Sequence, residues 1–146
     1  MKLSTRARYA LRMMIDLADH ADSGRPVVLK DIAERQQISK RYLEQLAISL
    51  KNARLLNVTT GRSGGYALRR DPADIQVGEI VEAAIGPIAI VDCVLQPDIC
   101  GRADKCPTRD LWVDVNEQIL GTLNKYTLAD LSEKHLEHEA KPECKE

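Results

Sequence analysis

The stretch Ile38-Ser39-Lys40-Arg41-Tyr42-Leu43-Glu44-Gln45-Leu46 opens a helix with two unlike faces. Ser39 stands where an N-cap belongs, because its hydroxyl can accept from the free N–H groups of a first helical turn. Leu43, Leu46, Ala47, Leu50 and Ala53 then recur at helical spacing, while Lys40, Arg41, Glu44, Gln45 and Lys51 fill the opposite face. The spacing predicts a helix over residues 39–53. Downstream the period shortens. Leu55 to Thr60 and Tyr66-Ala67-Leu68 are β-type runs around Gly61-Arg62-Ser63-Gly64-Gly65. This pattern predicts a hairpin whose glycines supply the positive φ angles of the tip. Upstream, Ile32 and Ala33 mark a short helix from Asp31 to about Gln36. Apolar residues from Tyr9 to Ala18 fill most of a helical cylinder between Ser4 and Ala21, stopped by Ser23-Gly24-Arg25-Pro26. Val27-Val28-Leu29 is too short for more than a minor strand.

Three helices followed by a two-stranded hairpin is the order of a winged helix-turn-helix, whose second paired helix enters the major groove. Ser39, Lys40, Arg41, Tyr42, Glu44 and Gln45 are therefore the candidate base and phosphate contacts, with Lys51 further along. Ser, Lys, Arg and Gln donate to phosphates or base edges, and Glu accepts, for example from cytosine N4. At the wing, Arg62, Ser63 and Gly64 are expected to meet the adjacent backbone or minor groove, Gly64 and Gly65 permitting close approach. Arg6, Arg8 and Arg12 do not share one stripe and are candidates for phosphate contact only.

Charge supports this division of labour. The chain has 146 residues and a net charge of −1. Residues 1–70 hold 14 Lys and Arg against 6 Asp and Glu, a net +8, and residues 71–146 hold 7 against 16, a net −9. One end thus suits a polyanion and the other does not. Apolar residues at 44% and charged residues at 29% fit a folded globular chain. Aromatics are 3%, with no Phe and a single Trp112, so the aliphatic core buries less area per side chain. A partner subunit is one source of the missing stability.

Beyond the wing, Val77, Ile80, Val81 and Ala84 predict a helix to Ile85 that Gly86-Pro87 ends. A cysteine-bearing loop covers about Asp92 to Pro107. Thr108 is the expected cap of a long helix with a stripe of Leu111, Val115, Ile119 and Leu123, beside Trp112 and Leu120. Thr127 is expected to cap one last turn, Leu128 to Leu131, before a charged and frayed tail from Ser132.

The cysteines are spaced C-x6-C-x5-C at Cys93, Cys100 and Cys106, with Cys144 far off. A disulfide framework is not expected in a cytosolic chain, and paired zinc knuckles are absent. Three thiols in a Gly/Asp/Pro-containing loop suit an iron–sulfur cluster, whose usual ligands are thiolates. Unlinked cysteines or a thiol redox pair fit the same spacing.

The start Met1-Lys2-Leu3-Ser4-Thr5-Arg6-Ala7-Arg8-Tyr9-Ala10, the 38–46 stretch and Gly61-Arg62-Ser63-Gly64-Gly65-Tyr66 together resemble the bacterial winged-helix regulators typified by IscR, NsrR and CymR. The resemblance covers about residues 1–131 and runs through the cysteine loop and long helix. It implies a homodimer crossed through the long helix, binding palindromic operators in double-stranded DNA, in a chain already expected to stay in the cytoplasm. It places the major-groove surface on Ser39, Tyr42, Glu44 and Gln45 and the wing on Gly61 to Gly65. IscR-like proteins often carry Arg just before the wing glycine; Thr60 stands here, with Arg62 as a substitute and a different operator as the consequence.

The same resemblance implies a 2Fe-2S cluster on Cys93, Cys100 and Cys106. IscR-like chains add a His three residues after the last Cys, but Arg109 occupies that position and a guanidinium cannot ligate. NsrR-like chains use an acid near the start of the first helix, where Arg8 stands. Cys144, His135, His138, Asp98, Asp104 or an exogenous group are left as fourth ligands. His20 reads as a helix-end residue.

The expected architecture is mainly α with a small β wing. A winged helix-turn-helix occupies residues 1–72, a linker helix and cysteine loop 73–107, a dimerisation helix region 108–131 and a flexible tail 132–146. The expected function is a DNA-binding regulator, a repressor, whose operator affinity follows an iron–sulfur cluster. A cluster-free repressor governed by thiol oxidation or a partner protein is the first alternative, and an electron-transfer or cluster carrier the second. An enzyme is not expected, since no phosphate-binding loop, HExxH or nucleophile elbow occurs. No apolar run approaches the ~20 residues of a membrane span, and no secretory signal is read at the start.

Overall fold

The computed structural model describes residues 2–21 and 24–141. Helix α1 spans Thr5–Asp19, and the Ser4 hydroxyl accepts from the N–H groups of Arg6 and Ala7 at 3.1 and 3.4 Å. Its buried Ala10, Met13, Met14 and Leu17 form the spine of the main core. Helix α2, Leu29–Gln36, begins two residues before the expected Asp31, because Val28 caps it and Leu29 is already buried. Gln37 then takes a left-handed turn at φ 53°, which redirects the chain into α3.

Helix α3 is Lys40–Asn52, and Ser39 Oγ accepts from the Tyr42 N–H at 3.2 Å as the cap pattern requires. Leu43, Leu46, Ala47 and Leu50 are buried on one side against α1 and α2. Strands β1, Leu56–Thr59, and β2, Gly65–Leu68, pair antiparallel from Leu56↔Leu68 to Thr59↔Gly65. Val27 exchanges two backbone bonds with Tyr66, at 2.7 and 2.8 Å, and so adds a one-residue edge to the wing.

Helix α4, Val77–Ile85, coincides with its expected limits and stops at Gly86, whose φ is 86°. One-turn α5, Asp92–Leu95, and two short 3₁₀ turns occupy the cysteine loop. Helix α6 runs Pro107–Leu123 and α7 runs Leu128–Glu139. A second, smaller core of Ala7, Val77 and Val81 joins Leu11, Ile88, Leu123 and Leu131, tying α1 and α4 to α6 and α7.

Two expectations about the C-terminal half are corrected. Cys106, not Thr108, caps α6, because Pro107 takes the first helical position, where a missing N–H leaves nothing unsatisfied. Helix α7 continues for two turns beyond Leu131, through residues expected to fray. Its start is a reciprocal cap: Thr127 Oγ1 accepts from the Asp130 N–H at 3.2 Å, and Asp130 Oδ2 from the Thr127 N–H at 2.8 Å. Its body is held by α1. Asp19 accepts from the Ser132 hydroxyl and lies 2.8 Å from His135 Nδ1. His135 is therefore not a loose tail residue.

Candidate nucleic-acid interface and cysteine loop

On α3, Ser39, Lys40, Arg41, Glu44, Gln45 and Lys51 are all exposed on the side away from the core. Lys40 and Glu44 lie 3.8 Å apart, one turn apart on the helix. Tyr42 differs. It is half-buried and meets Tyr9 edge-to-face with centroids 5.6 Å apart, so much of its ring braces α1 against α3.

At the wing tip, Arg62 and Ser63 are exposed and Gly64 is half-buried. Gly61 adopts φ 100°, and the Gly64 N–H donates to the Gly61 carbonyl at 3.1 Å. A Cβ on Gly64 would lie 2.4 Å from the Thr59 carbonyl oxygen, and one on Gly65 would lie 2.5 Å from that of Val27. The close approach these two glycines permit is thus between strands of this chain.

The α1 arginines divide. Arg6 is turned inward, its Nε donating to the Ala84 carbonyl at 2.5 Å and its Nη2 to Ser49 Oγ at 2.7 Å. It bridges the end of α4 to α3 and is not a free phosphate contact. Arg12 lies 5.5 Å from the Tyr9 ring centroid and donates to the side chain and carbonyl of Gln36, while Arg8 donates to Thr5 Oγ1 at 3.2 Å.

Behind the interface lies an ion pair that the sequence reading passed over. Asp16 is 2% exposed on α1, and Arg35 of α2 grips it with two bonds, at 2.7 and 2.9 Å. Gln36 Nε2 adds a third at 3.1 Å. Burial alone would raise this carboxyl, but the bonds from Arg35 and Gln36 and the charge of Arg35 hold it below the ordinary aspartate range. A charged residue between Ile15 and Leu17, on an otherwise buried helix, was the available signal.

In the cysteine loop, Cys93 sits in α5 and is half-buried, Cys100 is exposed, and Cys106 is half-buried at the start of α6. Cys106 Sγ lies 3.1 Å from Thr108 Oγ1. That hydroxyl, with the Arg109 and Thr108 N–H groups, pulls its thiol below the usual range. The donor chemistry fits a thiolate-bound cluster. The arrangement does not yet form a cage, since among the described residues no three His, Cys, Asp or Glu side chains converge to hold a metal ion. Cys144 lies outside the described residues. His135 is engaged by Asp19, and His138, Asp98 and Asp104 are exposed.

Arg109, three residues after Cys106, donates from Nε to the Cys93 carbonyl at 3.0 Å. Asn116, buried in α6, donates to the Ile88 carbonyl and accepts from the Ile90 N–H, both at 3.1 Å. These two residues fasten the loop and its approach to α6. On the outer side of α6, Leu111 and Trp112 are exposed, and Val115, Ile119 and Leu123 lie in an open apolar groove.

A capped recognition helix, a glycine-tipped two-stranded wing and a basic N-terminal half define a winged-helix DNA-binding protein. The chain belongs to the Rrf2 family, described as iron-dependent transcriptional regulators, whose sequence profile matches residues 3–134. It is 44% identical to protein rrf2 of Nitratidesulfovibrio vulgaris over 131 residues, covering 90% of this chain and 87% of that one. It is 40% identical to IscR of Klebsiella pneumoniae strain 342, covering 90% of this chain and 79% of that protein. Among solved structures, IscR of T. potens superposes with a TM-score of 0.78 at 35% identity, over 97% of this chain and 93% of that one. CymR, the global cysteine regulator of B. subtilis, superposes at 0.77 with 36% identity, over 92% and 98%. The protein is a transcriptional regulator of this type. No helix among the described residues is long and apolar enough to cross a membrane.

Proposed function

We propose that the chain is a homodimeric repressor of palindromic operators, paired through α6, whose DNA affinity depends on an iron–sulfur cluster, most simply 2Fe-2S. The observation that carries the DNA surface is the outward row of Arg41, Glu44 and Gln45 on α3, in the basic half of the chain that also carries Arg62 on the wing. Arg62 is assigned to phosphate, so Arg62→Ala should weaken binding to all sequences about equally. It should also lower the salt dependence by about one counterion, which a salt titration of operator binding reads directly.

Cys93, Cys100 and Cys106 are the residues that would hold the cluster, through a loop that must close to bring their sulfurs together. When bound, the group supplies an anionic centre sensitive to redox state and to small reactive ligands. The chain supplies a mechanical connection from that loop to α3. Arg109 ties the Cys93 backbone to α6, Asn116 ties residues 88 and 90 to α6, and Arg6 ties Ala84 to Ser49 of α3. A change in the loop that reaches this connection and is worth ~1–3 kcal/mol alters operator affinity ~5–150-fold.

The deciding experiment is anaerobic purification with iron and sulfide assays, followed by operator titration of cluster-bound and cluster-free protein over a range of salt. Cysteine-dependent iron and sulfide and unequal affinities are the expected result. Equal affinities would remove the switch. A colourless chain that resists anaerobic reconstitution would instead favour control by thiol oxidation, for which the depressed Cys106 thiol and the exposed Cys100 are the specific supports.

A further inference from the structure

Of the large apolar side chains described, Ile48 of α3 is the most exposed, at 61%. Its place is not random. Leu43, Leu46, Ala47 and Leu50 define the buried side of α3, and Ile48 falls opposite them, one turn beyond Glu44 and two turns beyond Arg41. At 1.5 Å rise per residue it stands about 6 Å along the helix from Glu44. It continues the row assigned above to the major groove.

The surroundings select the class of partner. Glu44, Gln45, Lys51 and Asn52 are its exposed neighbours one turn away, with Arg41 two turns back. A protein-docking face would add further apolar side chains to this side of the helix, but Ile48 is the lone hydrocarbon on the outward face of α3, where Lys40, Arg41 and Lys51 outnumber the single acid Glu44, a setting that favours a polyanion. Within the major groove of DNA, the apolar feature on base edges is the C5-methyl group of thymine.

We propose that Ile48 is a specificity residue that packs on a thymine C5-methyl in each operator half-site. The inference rests on the operator-binding reading given above and adds the base it selects. Unlike Arg41 or Gln45, the side chain has no hydrogen bond to give, so its whole contribution is removal of methyl surface from water.

The test begins with selection of preferred sites from randomised duplex DNA by the full-length chain. Each thymine of the selected half-site is then replaced by deoxyuridine, which lacks only the methyl group. The wild-type chain is expected to lose about fourfold in affinity at one thymine per half-site, the worth of one buried methyl-sized group. Ile48→Ala is expected to bind the thymine and uracil sites equally there. Because the position is exposed and alanine favours helix, its melting temperature should match wild type.

Uracil losses that are the same in wild type and Ile48→Ala at every position would overturn the proposal while leaving operator binding intact. So would a selected half-site with no thymine. Failure to enrich any sequence would overturn the operator reading and the proposal together.

Discussion

Asp16 and Arg35 show how much a single buried carboxylate contributes to positioning the reading head. The pair joins α1 to α2, and α2 leads through the left-handed Gln37 turn into α3. Removing the cation takes two hydrogen bonds and the nearest positive charge from a buried carboxylate. Arg35→Ala should cost about 2 kcal/mol by chemical denaturation, less than the 3–5 kcal/mol of a fully buried pair because Arg35 is 38% exposed. The pH dependence has a definite sign. The carboxyl is depressed in the folded chain, so its stabilisation is complete above the unfolded aspartate value of about 4 and declines as pH falls below it. In Asp16→Asn this acid-side decline should shrink. Equal acid midpoints for the two chains would contradict the assignment.

Elements were legible where their pattern is local. Helix α3 and its Ser39 cap, the hairpin and α4 follow from spacing and turn chemistry within a few residues of each position. Helix α7 was not legible in that way. Its restraint comes from Asp19, more than a hundred residues earlier, and from Leu128, buried beneath Ile75 and α1. The packing of Gly65 was also not legible, because nothing in the wing sequence reveals that Val27 lies against it. Gly65→Ala should force Val27 and β2 apart and destabilise the fold by about 1–3 kcal/mol. The measurement is thermal unfolding, with hydrogen exchange at Tyr66 to localise the loss. A fully protected Tyr66 amide in the variant would show that the contact is dispensable.

At the scale of the whole molecule, α6 buries the smallest share of its residues of any helix longer than one turn. Its one buried residue is the polar Asn116, while Leu111 and Trp112 are exposed and Ile119 lies in an open groove. Such a face on a family that regulates transcription fits the dimer expected from the sparse aromatic core. On the proposed pairing through α6, Ile119→Asp should bring the molar mass by light scattering down to that of one chain and weaken operator binding at nanomolar protein. It should also abolish the rise of melting temperature with protein concentration that a dimer shows. An unchanged molar mass for the variant would rule out α6 as the pairing surface.

The order of helices, the wing, the outward polar row of α3 and the three thiols of the cysteine loop were determined by the sequence itself, because each depends on spacing along one element or on charge summed over a half. Tertiary structure alone decided the inward turn of Arg6, the grip of Arg35 on Asp16, the use of Arg109 and Asn116 as ties and the extent of α7. Those contacts join residues tens of positions apart, and their energies come from geometry that periodicity does not encode. The same limit applies to the cysteines: spacing makes them candidate ligands, but whether three such side chains converge is decided by the fold, and among the described residues none do.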